Sequence, residues 1–158
     1  MRVLEGLVGC ALALAPLVVA DAAALQKQVA VDRAGDAWDI PDAASALRNP
    51  VVASDETLRE GQALWAAHCQ SCHGAQGRGD GPDAKLHERR KGHAPRNLTD
   101  PDVQENLTDG DIFYRISNGI IERSKDNIIM PSFADKVPSE GGRWRLVLYV
   151  RQLGRAGR

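Results

Sequence analysis

The sequence predicts a small all-α domain, its helices and long loops wrapped around something the polypeptide does not itself supply. Three observations lead there. One amphipathic stretch starts near Ser54 and another ends near Leu153, and no alternating strand pattern of useful length lies between them. The segments Gly74–Asn106 and Ile120–Val137 are rich in Gly, Pro, Asp and Asn. Loops of that length are uncommon in a compact domain unless an internal group organises them. Finally, 43% of the 158 residues are hydrophobic but only 4% are aromatic, which leaves bulk for a large prosthetic group to fill.

The elements follow in chain order. Residues 1–24 read as a secretory signal peptide: Arg2 near the start, an apolar run Leu7–Ala20, and small residues at Val18–Ala20 and Ala22–Ala24 that place cleavage near 20 or 24. The run is short for a membrane anchor, and Pro16 interrupts it. Leu7-Val-Gly-Cys10 resembles a lipobox, but a lipobox cysteine should follow the apolar run, whereas most of this run comes after Cys10. Residues 25–53 have no sustained period and read as an extended arm or linker, with a short helical turn in Asp42–Arg48 and with Trp38 and Ile40 as candidate docking anchors.

Residues 54–158 form the expected domain. Ser54 or Asp55 caps its first helix, Glu56 and Glu60 suit the positive end of the helix dipole, and Gly61, Trp65 and Cys69 share one stripe. A glycine inside a helix weakens it by roughly 0.5–1 kcal/mol, so Gly61 predicts close approach by another element. A middle helix spans Leu107–Gly119, capped by Thr108 with Asp111 three residues on and closed by Gly119. The last helix runs from Ser139 to Leu153, with Trp144, Val147, Leu148, Val150 and Leu153 on its apolar face. Trp65 is expected to pack near Trp144 and Tyr149.

Composition excludes several classes. Twenty Lys and Arg against 21 Asp and Glu give a net charge of −1, so bulk charge offers no reason to expect a nucleic-acid partner. Three cysteines exclude a multi-disulfide scaffold. Loss of the leader leaves two, Cys69 and Cys72, in Cys69-Gln-Ser-Cys72-His73.

That spacing is the attachment signal for c-type haem. Two thiols one turn apart can bond the two vinyl groups of one porphyrin, and the next residue then offers its imidazole to the iron. A simple disulfide is a rival reading. A thioredoxin-like redox pair would require a βαβ setting, and a zinc site more ligands. Met130, in Ile128-Ile-Met-Pro-Ser-Phe133, is the only methionine besides Met1. Core filling is the commoner role for methionine, but Pro131 stiffens the backbone beside it and His/Met is a known haem ligation mode. His68, His87 and His93 are rivals for that position. The last two flank Glu88-Arg-Arg-Lys91, which reads as a solvated loop.

Gly61-x-x-x-Trp65-x-x-x-Cys69-x-x-Cys72-His73-Gly74, then Met130-Pro131, then Trp144-x-x-x-x-Tyr149-Val150 resemble the class I c-type cytochromes over about residues 54–153. Gly77-Arg-Gly-Asp-Gly-Pro82 resembles the loop after the haem motif in bacterial members. Pro95-Arg-Asn-Leu98 resembles the segment whose proline carbonyl accepts from the proximal histidine, with Pro82 a rival for that role. The resemblance implies one covalently attached haem c and a one-electron carrier, not an enzyme. It also implies redox protein partners, with a membrane-bound oxidoreductase complex as one setting. A relay subunit of a larger oxidoreductase, and a haem enzyme or gas sensor with an open iron site, are the alternatives. With the leader, this points to the periplasm.

Charge is unevenly placed. Arg78, Lys85, Arg89, Arg90, Lys91 and Arg96 outnumber the acids between residues 78 and 96, and residues 143–158 hold five arginines and no acid. Such clusters are commonly solvated surface; their functional reading is steering of a redox partner. Arg96 is a candidate for pairing a haem propionate.

Overall fold

A computed structural model describes residues 40–122 and 125–157. The readings for the leader, Trp38 and most of the arm fall outside those residues. In chain order the elements are α1 (Asp42–Ser45), α2 (Asp55–His68), α3 (Gln70–His73), α4 (Ala84–Lys91), α5 (Pro101–Asn106), α6 (Asp109–Asn118), β1 (Ile120–Glu122), β2 (Asn127–Met130) and α7 (Glu140–Ala156). The described part is mainly helical. None of its helices is long and apolar enough to cross a membrane.

The long helices start where side chains satisfy their first backbone donors. The Ser54 hydroxyl accepts from the Thr57 amide, and the Thr57 hydroxyl accepts from the Ser54 amide at 2.9 Å. Thr108 and Asp111 form the same reciprocal box at the start of α6. Ser139 accepts from the Gly142 amide at the start of α7. These starts agree with the sequence reading.

The α2–α7 pair is the main packing unit. They cross at Gly61, where a Cβ would collide with the Arg145 carbonyl and the Tyr149 Cβ. Trp65 lies 5.9 Å from the Tyr149 ring. Trp144 belongs to the same core but stacks on Phe113, 4.0 Å away at 13°. Cys69, Ile112, Ile116, Phe133, Val137, Leu146, Val147, Val150 and Leu153 complete this cluster. Residues ahead of Ser54 join it: α1 packs on α6, the Thr108 hydroxyl donates to the Ser45 carbonyl (2.8 Å), and the Asn49 amide donates to the Trp144 carbonyl (3.0 Å).

Three elements arise where loops were expected. Helix α4 reads Ala-Lys-Leu-His-Glu-Arg-Arg-Lys and has no apolar stripe to announce it, so His87 and the basic run belong to a helix rather than a loop. Helix α5 is short, with Pro101 at its first position and Asp100 capping the Asp102 amide. The hairpin β1–β2 pairs Ile120 with Met130, Ile121 with Ile128 and Glu122 with Asn127, with an irregularity between Ile120 and Ile121. Its strands are too short for their alternation to show in the sequence.

Candidate functional site

At the end of α2 the chain turns at Cys69 and continues as α3. The Cys69 amide donates to the Trp65 carbonyl and the His73 amide to the Cys69 carbonyl, both at 2.9 Å. Cys69, Cys72 and His73 are thereby set along little more than one turn. The carbonyls of this turn are taken up in sequence by the loop that follows: Ser71 accepts from Asp83, Cys72 from Gly81 and His73 from Gly79. The buried Trp65 indole donates to the Gly74 carbonyl at 3.1 Å, and its ring lies 5.8 Å from that of His73.

The His73 Nδ1 lies 3.1 Å from the Arg96 carbonyl oxygen. A carbonyl only accepts, so the proton is on Nδ1 and the Nε2 lone pair remains for another partner. This corrects the resemblance in one detail. The acceptor is the carbonyl of Arg96, not that of Pro95 or Pro82. The Pro95 carbonyl is turned against Gly79, which has a positive φ of 79° and where a Cβ would collide with it. Pro82 is exposed beside the start of α4. Burial pushes the His73 pKa down, the Arg96 carbonyl acting against it, which favours the neutral imidazole a metal requires.

Both thiols are free. Burial, and then the neighbouring Cys72, push Cys69 up to about 12. A redox-active pair needs the opposite, a stabilised thiolate. Among the described residues no group of three or more His, Cys, Asp or Glu converges as a metal site, so the zinc reading gains no support.

Cys69, Cys72, His73 and Met130 all line one cavity of about 530 Å³, within the roughly 300–1,000 Å³ of small-molecule sites. The rest of its lining is largely apolar: Ile112 and Ile116 from α6, Ile120 and Ile129 from the hairpin, Phe133, and Leu146 and Val150 from α7. Met130 reaches it from the end of β2, next to Pro131. His68, His87 and His93 line it as well, so the structure gathers the rivals together with the favoured ligand.

Two cationic residues of this lining, Arg115 and Lys136, escaped the sequence reading. Arg115, on α6, has a buried Nε with no hydrogen-bond partner among the described residues. Burial pushes its pKa down and Arg96 adds to this, while Asp111 opposes both. A lone arginine between Phe113 and Ile116 in the apolar part of the helix was its signal. A cation with a spare donor in a largely apolar cavity suits a ligand with an apolar body and an anionic edge. Two thiols one turn apart, an imidazole with a free lone pair, a thioether and this arginine together fit haem.

The fold is that of a class I c-type cytochrome domain. The chain belongs to the family described as cytochrome c oxidase, cbb3-type, subunit III, whose model matches residues 56–150. Among solved structures, a chain of the Kuenenia stuttgartiensis reducing HAO-like protein complex Kustc0457/Kustc0458 is 26% identical with a TM-score of 0.50; the match covers 66% of this chain and 46% of that one. The chain therefore spans less than half the length of that relative. The KustC0563 c-type cytochrome is 26% identical with a TM-score of 0.46, over 59% of this chain and 95% of that one. No curated protein matches.

Proposed function

We propose that this chain is a one-electron carrier holding one haem c, with thioethers from Cys69 and Cys72 and axial ligation by His73 and Met130. The observation that carries this reading is the meeting of all four side chains on one apolar cavity. When bound, haem supplies an iron that gains and loses a single electron. The residues do the rest. Arg96 fixes the His73 tautomer through its carbonyl and makes Nε2 a better donor. With haem bound, the Met130 thioether and the apolar wall would favour the less charged Fe(II) state and so a relatively high potential. Arg115 and Arg96 would meet the carboxylate edge. With His73 and Met130 both committed to the iron, no coordination site would remain for a substrate, which supports transfer over catalysis.

Met130→Ala tests this. The variant is expected to keep its haem, to have a potential lower by on the order of 100 mV within the roughly 0.8 V that axial ligands span, and to bind carbon monoxide promptly where the parent does not. An unchanged potential would remove Met130 from the iron. Prompt carbon monoxide binding by the parent would favour the haem enzyme or gas sensor.

A second setting has specific support. The family is described as a subunit of an oxidase, and the Kuenenia relative is a chain of a protein complex. This chain would then relay electrons within a larger, membrane-bound oxidoreductase. In either setting the proposed location is the periplasm, reached through the leader 1–24, with residues 25–53 as the arm and 54–158 as the haem domain.

A further inference from the structure

We propose that the outer face of the β1–β2 hairpin, together with the adjoining helix α4, is the docking surface for an acidic one-electron redox protein. The inference rests on the carrier reading above. The hairpin divides its isoleucines between two environments. Ile120 and Ile129 line the cavity, whereas Ile121 and Ile128, partners across the strands, are 39% and 49% exposed. Two adjacent isoleucines open to solvent on a structured hairpin form a small apolar contact surface.

Helix α4 supplies the charge. It packs against β2, and the Asn127 amide donates to the Lys91 carbonyl at 2.8 Å, fastening helix to hairpin. Lys85, Arg89, Arg90 and Lys91 face a single acid, Glu88, on that helix. Lys85, Arg89 and Arg90 are exposed, as is Leu86, and none of the three cations forms an ion pair among the described residues. Two acids lie beside the isoleucines: Glu122 is already paired with Lys125 at 2.6 Å and faces His93 at 3.6 Å, and the exposed Asp126 sits in the hairpin turn next to Lys125, so the cations of α4 outnumber the unpaired acid of the hairpin among the described residues. An apolar centre with a cationic flank is complementary to a protein surface bearing the reverse charge. Ile120 and Ile129 of the same two strands line the cavity, so only the hairpin lies between this face and the cavity. That proximity serves a partner exchanging one electron with the iron, and it gives a lipid surface no function.

The probe is a gold electrode coated with mixed carboxylate- and methyl-terminated thiols, which presents acid and apolar groups together. Voltammetry of the matured protein should show rapid electron exchange that slows as salt rises past about 0.1 M, where the screening length is about 10 Å. The variant Arg89→Glu/Arg90→Glu/Ile128→Ser should lose about tenfold or more in exchange rate, with its visible spectrum and circular dichroism unchanged. The control Arg59→Glu/Arg155→Glu makes the same charge change on α2 and α7 and should retain the parent rate. Equal losses in variant and control would overturn the inference, because net charge alone would explain them. So would an undiminished rate in the face variant. Vesicles of equal phosphatidylglycerol and phosphatidylcholine should not sediment the parent at that salt; sedimentation abolished by the face variant would assign the surface to lipid instead. A colourless parent would defeat the carrier reading itself, a result distinct from all of these.

Discussion

Trp65 holds the haem motif through one buried hydrogen bond to the Gly74 carbonyl. Replacing it with Phe keeps most of the ring and strands that carbonyl, at a cost of about 1–3 kcal/mol. Denaturant unfolding of the matured protein should show that loss with little movement of the visible bands. Arg115 acts differently. Its charge lies in the cavity wall, so it favours the electron-rich state of a bound haem. Arg115→Gln should lower the potential by a few tens of millivolts, read by spectroelectrochemistry. A raised potential would place its charge away from the haem. At this scale the sequence was most informative where chemistry is dense. That Cys69, Cys72, His73 and Met130 belong together, as they do on the wall of one cavity, was legible from spacing and from the scarcity of methionine. The role of Arg115 was not, since an arginine that interrupts an apolar stretch can be buried or solvated. Nor was the choice of the Arg96 carbonyl over its neighbour, because backbone direction within a proline-containing loop is set by what it packs on, here Gly79.

Gly61 decides how closely α2 and α7 approach. Alanine is the better helix former by roughly 0.5–1 kcal/mol, but here its methyl would collide with the Arg145 carbonyl. Overpacking costs about 1–3 kcal/mol, so Gly61→Ala should destabilise the protein on balance, by thermal melting followed in the haem bands. A stabilised variant would show that the helices part without cost. The capped helices α2, α6 and α7 were legible because caps and apolar stripes agree in each. The hairpin and α4 were not. Three- and four-residue strands carry no usable period, and α4 is polar on all sides, with Ala84 its one buried residue. These elements take their form from neighbours rather than from local preference.

For the molecule as a whole, the chain ahead of Ser54 contributes more than an extension would. Ser45 donates to the buried Asp111 carboxylate at 2.5 Å, and Asn49 bridges to α7. Ser45→Ala should cost about 1–3 kcal/mol, because Asp111 loses a partner inside the fold, and unfolding would report it. The largest organising contribution is expected from the group that the cavity would hold, since both loop regions contribute to its lining. The central claim is that haem is covalently fixed to Cys69 and Cys72. The direct measurement is the mass and reduced visible spectrum of protein produced with a working cytochrome c maturation system, after denaturation and solvent extraction. The expected mass exceeds that of the polypeptide by one haem, with the colour retained on the chain and lost in Cys69→Ser/Cys72→Ser. A colourless chain of bare polypeptide mass would contradict it.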